Sequence, residues 1–212
     1  MIKQISLEHK GGSYFYSVNN DKLDNISRFD QLKKYLYDVF NNCPHHYFNS
    51  GPRGSTLRFD SGLEIKKVSG HEISSLAKQG LQDDSFNSNH LKVQMFLLKN
   101  DPKTIAMEVP IWLKRQEFES FEDLFKSKEP LTGHIDLLRM EDDKIWVWDY
   151  KPNSEKEKYA TIQLLFYAFM LSKRTGISLE NFRSGYFDNR NAFLFKPEMK
   201  RFEKNYRLTE FS

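Results

Sequence analysis

Residues 132–167 read TGHIDLLRMEDDKIWVWDYKPNSEKEKYATIQLLFY, and this stretch decides the fold. Gly133 to Met140 and Ile145 to Lys151 are both rich in strand-forming residues, with the polar run Glu141-Asp142-Asp143-Lys144 between them. That is the pattern of a β-hairpin, although Asp-Asp forms the turn less readily than Asn-Gly or Asp-Gly. A turn centred between Asp142 and Asp143 sets Asp136 directly opposite Asp149, with Cβ atoms roughly 5 Å apart. Side chains alternate along a strand, so Lys151 shares the face of Asp149 while Trp146, Trp148 and Tyr150 point to the other. Two carboxylates and an ammonium group are therefore expected in one patch.

Like charges placed directly opposite each other destabilise a sheet. A hard divalent cation removes that conflict, because Mg²⁺ prefers carboxylate oxygens and keeps several waters. Two acids and a lysine in this arrangement suit metal-assisted cleavage of a phosphodiester. A surface hairpin with scattered acids could spell the same D-x-K, so the tripeptide alone does not carry the assignment. The opposed Asp136 and the segment that follows do. That segment reads as a helix from about Lys156 to Arg174, ended by Gly176 as a C-cap glycine. Gln163 and Tyr167 lie four residues apart and share one of its faces, so both can look toward the hairpin. Leu164, Leu165, Phe166, Phe169 and Leu171 supply its apolar surface.

In this order the motifs resemble the PD-(D/E)xK nuclease superfamily, and within it the RecB-like branch. Gly133-His134-Ile135-Asp136 matches GxxD, Asp149-Tyr150-Lys151 matches (D/E)xK, and Gln163 to Tyr167 matches QxxxY. The likeness spans roughly residues 85 to 195. It implies a restriction-endonuclease-like α/β fold, with an α-β-β-β-α-β core and a central mixed sheet flanked by helices. It also implies that Asp136 and Asp149 bind Mg²⁺ or Mn²⁺, with the backbone carbonyl of Tyr150 as a further ligand. Lys151 would orient or activate the attacking water and stabilise charge on the phosphate. Glu108, in Ala106-Met107-Glu108-Val109-Pro110-Ile111, matches the family's upstream acid and would hold a second ion or a water. Gln163 and Tyr167 would position Lys151 or the nucleic-acid backbone. His90 matches a histidine ligand that the branch carries on an earlier helix, and Ser88 or Asn89 is available to cap that helix. Imidazole suits Mn²⁺-type ions, although a histidine in a first helical turn is also an ordinary surface residue.

Other histidines and glycines yield less. Cys43-Pro44-His45-His46 offers three candidate ligands at poor spacing, short of the four a structural zinc site requires, and is not read as a metal site. Ser50-Gly51-Pro52-Arg53-Gly54 lacks the glycine spacing and lysine of a phosphate loop and reads as a turn, with Arg53 able to touch a phosphate.

Composition sets outer bounds. The chain has 212 residues, 39% hydrophobic and 29% charged, which is globular rather than disordered. Its net charge of +3 permits nucleic-acid binding without arguing for it. The single Cys43 excludes an internal disulfide and suits a reducing, cytoplasmic setting. No stretch approaches membrane-span length, so no membrane partner is expected. Residues 81–212 are expected to form the nuclease core, and residues 1–80 an N-terminal α+β extension that covers it or shapes a substrate cleft. Within the extension, Ser13 to Val18 reads as a strand and Arg28 to Asn41 as an amphipathic helix. Ser55 to Phe59 and Leu63 to Val68 read as a hairpin closed by Asp60-Ser61-Gly62. Ser184 to Lys196 reads as two strands, and the last sixteen residues as a tail or final helix.

The expected activity is metal-dependent hydrolysis of DNA, exonucleolytic or single-strand-preferring, with RNA still open as a substrate. A structure-selective or restriction-type endonuclease would use the same site, and a junction resolvase would be a homodimer. A helicase or other protein could deliver the substrate. A non-catalytic nucleic-acid-binding or assembly protein is the third reading, disfavoured because no core motif residue is missing.

Overall fold

The computed structural model describes residues 1–200 and Phe202. An N-terminal hairpin of β1 (Ile2–His9) and β2 (Gly12–Asn19) leads through α1 (Asn20–Asp24) to α2 (Asp30–Asn42). The predicted helix over 28–41 starts two residues late, because Phe29 sits at its N-cap with a φ of 67°. Leu32 and Leu36 on its apolar face are fully buried. A short α3 (Tyr47–Ser50), a 3-10 turn at Gly54–Thr56 and β3 (Lys66–Ser69) follow, then α4 (Glu72–Gly80) and α5 (Asn89–Asn100). Next come β4 (Thr104–Leu113), α6 (Phe121–Phe125), β5 (Leu131–Glu141), β6 (Lys144–Tyr150), α7 (Ala160–Thr175), β7 (Phe182–Phe187) and β8 (Asn191–Phe195).

The strands form one eight-stranded sheet in the order β1-β2-β4-β5-β6-β7-β8-β3. Every neighbouring pair is antiparallel except β6 and β7, which α7 joins by a crossover. The sequence α5-β4-β5-β6-α7-β7 reproduces the expected α-β-β-β-α-β core, and the architecture is restriction-endonuclease-like. Both outer edges of the sheet come from the first 70 residues, through β1 and β3.

The β5–β6 hairpin has the register expected from sequence, running from Glu141↔Lys144 to Leu137↔Trp148. Asp142 and Asp143 both take positive φ, 49° and 55°, as a two-residue turn compatible with strand twist requires. Trp148 and Tyr150 pack with Val93 and Leu97 of α5 and Ile73 of α4 in a smaller core. Ile145 and Val147, on the opposite face, join the larger core with Leu164, Leu165 and Phe166 of α7. α7 begins at Ala160 rather than near Lys156, because Ser154–Lys156 forms a separate 3-10 turn. It ends at Gly176, whose φ of 72° is the left-handed cap anticipated from sequence.

The hairpin expected over residues 55–68 does not form. Gly54–Thr56 is a 3-10 turn, and Lys66–Ser69 pairs instead with β8. The predicted pair in 184–196 is present as β7 and β8. The tail or helix expected over residues 197–212 falls largely outside the described residues. No described helix is long and apolar enough to cross a membrane.

Candidate active site

Three adjacent strands bring the acids together. In the β4–β5 ladder Met107 pairs with Leu137 and Val109 with Ile135, so Glu108 stands across from Asp136. On the other side of β5 the last ladder pair is Leu137↔Trp148, and Asp136 faces Asp149 one step beyond it. Asp136 therefore has an acid on each neighbouring strand. Glu108 takes a φ of 51° inside β4, a left-handed conformation that bulky L residues avoid.

Two helices reach this row from opposite faces of the sheet. From α5, His90 places Nε2 2.8 Å from Oδ2 of Asp136. Gln94, one helical turn on, donates from Nε2 to Oε1 of Glu108 at 2.7 Å and to the Asp136 carbonyl at 3.4 Å. The backbone N–H of Tyr150 donates to the same Asp136 Oδ2 at 3.0 Å, and the Tyr150 ring lies edge-on to His90. From the α7 side, Lys151 Nζ lies 2.7 Å from Oδ2 of Asp149 and donates to Oε1 of Gln163 at 3.4 Å. Tyr167 lies one turn after Gln163 and is almost fully buried.

Burial and mutual repulsion divide the carboxyl groups. Asp149 is pushed well above the ordinary carboxyl range, first by burial and then by the negative Asp136. Burial is the largest influence on Asp136 and opposes its charge, but the charge and hydrogen bond of His90, the hydrogen bond from Asp149 and the Lys151 ammonium together outweigh it and hold the group below its usual value. Glu108 is raised to about 7 by burial and by Asp136. His90 is raised to about 9, chiefly by the Asp136 carboxylate. For Lys151, burial disfavours the ammonium, yet Asp149 and Asp136 more than offset it, and its pKa rises. These are the shifts expected where like charges share a small space.

The donor set suits a hard divalent ion. His90, Glu108 and Asp136 offer ligand atoms that all lie within 4.8 Å of one another. Oδ2 of Asp149 is buried and close to Lys151, but the contact is poorly aligned and leaves it without a well-directed hydrogen bond. Carboxylate oxygens predominate in the set, as hard divalent ions prefer.

All six side chains singled out from sequence, with His90, occur in this one region, and the Tyr150 peptide borders it. Sequence reasoning passed over Gln94. Its signal was its position four residues after His90, which puts both on one face of α5. The sequence places Arg53 in a turn, able to touch a phosphate, with no link to the acids. Its guanidinium hydrogen-bonds the Lys10 carbonyl and the Tyr14 hydroxyl, and its charge acts on Glu108 and Tyr167.

A family model described as the PD-(D/E)XK nuclease superfamily matches residues 72–210. No curated protein and no solved structure matches the chain.

Proposed function

Since the chain belongs to the PD-(D/E)XK nuclease superfamily, we propose that it is a Mg²⁺- or Mn²⁺-dependent deoxyribonuclease of the RecB-like branch. The observation that carries this reading is the row Glu108–Asp136–Asp149 across three strands, with Lys151 on Asp149 and His90 on Asp136. The spacing of Gly133, Asp136, Asp149, Lys151, Gln163 and Tyr167 supports the RecB-like assignment, and with it a preference for DNA ends or single strands.

Asp136, Asp149, Glu108, His90 and the Tyr150 carbonyl would hold the ion, which when bound would supply charge neutralisation and Lewis-acid activation at the scissile phosphate. Lys151 sits where its ammonium can pair with a phosphate oxygen and orient a water. Gln163 restrains Lys151 by accepting its hydrogen bond. Gln94 restrains Glu108 from the opposite helix by donating a hydrogen bond to its carboxylate. Tyr167 packs under the row and closes it from α7.

The test is cleavage of end-labelled single- and double-stranded DNA with Mg²⁺, Mn²⁺ or EDTA, beside Lys151→Ala. Metal-dependent cleavage that the variant loses supports the proposal, and a ladder from one end identifies trimming. Equal cleavage by wild type and Lys151→Ala would remove the proposed site.

A further inference from the structure

A second group of ligating side chains lies away from the acidic row. His9 ends β1, Cys43 caps the C-terminus of α2, and His45 follows it in a tight turn closed by the His45 N–H to Cys43 carbonyl bond of 2.9 Å. The ligand atoms of these three residues lie within 4.8 Å of one another. Nε2 of His9 is 3.0 Å from Nδ1 of His45. Ordinary zinc–nitrogen and zinc–sulfur bonds place the edges of a tetrahedral site at about 3.3 Å between nitrogens and about 3.6 Å between nitrogen and sulfur. The two imidazoles are thus already near the spacing an ion would impose, and the Cys43 sulfur lies within 4.8 Å of both. The group does not include His46; β1 contributes His9 from more than thirty residues away, so the protein supplies three ligands and leaves a fourth position for solvent.

We propose that His9, Cys43 and His45 bind one borderline-soft transition-metal ion of the Zn²⁺ class. His9 and Cys43 are buried and His45 is exposed, so solvent can reach the group from the His45 side. Nitrogen and thiolate donors select such an ion over Mg²⁺, so this site and the carboxylate row draw on different metals. The surroundings fix the ligands in place. The His9 ring stacks on Phe48 with centroids 4.0 Å apart, and its Nδ1 lies 2.8 Å from Nε2 of His134. A hydrogen bond from the second ring nitrogen of a ligating histidine fixes its tautomer and ring orientation, and the His134 nitrogen is placed to accept one from His9. The ion joins β1 to the end of α2, tying the N-terminal hairpin to a helix of the larger core.

Cys43 makes the site separately observable. It is the chain's one cysteine, so a thiolate-to-metal charge-transfer band can arise only from an ion bound at this residue. The experiment titrates Co²⁺ into the reduced, full-length protein with Mg²⁺ in excess, following thiolate-to-cobalt charge-transfer absorption. The acidic row contains no sulfur and cannot produce that band. The expected result is a band that saturates at one ion per chain, that Zn²⁺ bleaches, and that Cys43→Ser removes. His45→Ala, on an exposed side chain, should keep the wild-type circular dichroism and weaken Co²⁺ binding at least tenfold. A folded wild type with no band overturns the proposal. So does a band whose affinity is unchanged in His45→Ala and His9→Gln. Should Cys43→Ser fail to fold, His45→Ala decides the question.

Discussion

Glu108 and Asp136 stand opposite each other at the point where both of their strands change faces. Met107 and Leu137 belong to the smaller core, whereas Val109 and Ile135, two residues away on the same strands, belong to the larger one. A regular strand would keep residues two apart on one face. In β4 the switch occurs at the left-handed Glu108, with φ 51°. A non-glycine residue held there costs on the order of 1–3 kcal/mol. Glu108→Gly should therefore be more stable than Glu108→Ala by about 1 kcal/mol, since both lose the side chain and only glycine relaxes the backbone. Urea unfolding of the two variants measures the difference; equal midpoints would mean that the backbone there is unstrained.

Glu108 also sets a pH dependence in the absence of divalent ions. Its carboxyl is raised to about 7 by burial and by Asp136. Below the unfolded value near 4.5 the group is protonated in both states and costs nothing. As pH rises from there, the unfolded chain releases its proton first, so stability falls, and the loss levels off once the folded group ionises near 7. The whole contribution is at most about 3 kcal/mol. In EDTA, unfolding free energy should decline between pH 4.5 and 7, and Glu108→Gln should flatten that decline. An identical slope in the variant would assign the titration to another group.

The acidic row is expected to cost the fold stability when no ion is bound. Asp149 is buried against Asp136 and raised for that reason, so a neutral amide of the same shape relieves the strain. Asp149→Asn should gain about 1–3 kcal/mol in EDTA. Saturating Mg²⁺ should raise the melting temperature of the wild type and not that of the variant. Cleavage should fall by more than the roughly hundredfold effect of outer-shell changes at metal sites. Differential scanning calorimetry with and without Mg²⁺ reads the first two effects. A destabilised variant in EDTA would mean that Asp149 is held by favourable contacts instead.

What the sequence made legible follows the range of the interactions. The β5–β6 register was readable because turn and strand alternation are local, and so were the α7 cap at Gly176 and the β7–β8 pair. The hairpin over 55–68 was misread because Lys66–Ser69 finds its partner in β8, more than a hundred residues on. Its supposed first strand is drawn into a turn, where Gly54 lies against Tyr167. The same non-locality hid Gln94, whose acceptors are on β4 and β5, and His9, whose ring partners come from α3 and β5. Glu108 was found by motif, yet no spacing signals a left-handed residue inside a strand.

The glycine of GxxD and the tyrosine of QxxxY are one contact. A Cβ on Gly133 would meet Cζ and Oη of Tyr167 at 2.6 Å, which real Cβ atoms do not tolerate. Gly54, on another chain segment, lies against the same ring so closely that a Cβ there would also clash with it, which limits the room into which the ring can shift. Gly133→Ala should therefore displace the ring and with it α7, where Gln163 holds Lys151. The expected cost is about 1–3 kcal/mol, typical of an overfilled core, together with a lower kcat. Tyr167→Leu removes the obstructing ring atoms. In that background Gly133→Ala should cost under about 1 kcal/mol, leaving a coupling of 1 kcal/mol or more between the sites. Denaturation of the four proteins in this double-mutant cycle gives the coupling directly. Additive effects would show that Gly133 is required by something other than the Tyr167 ring.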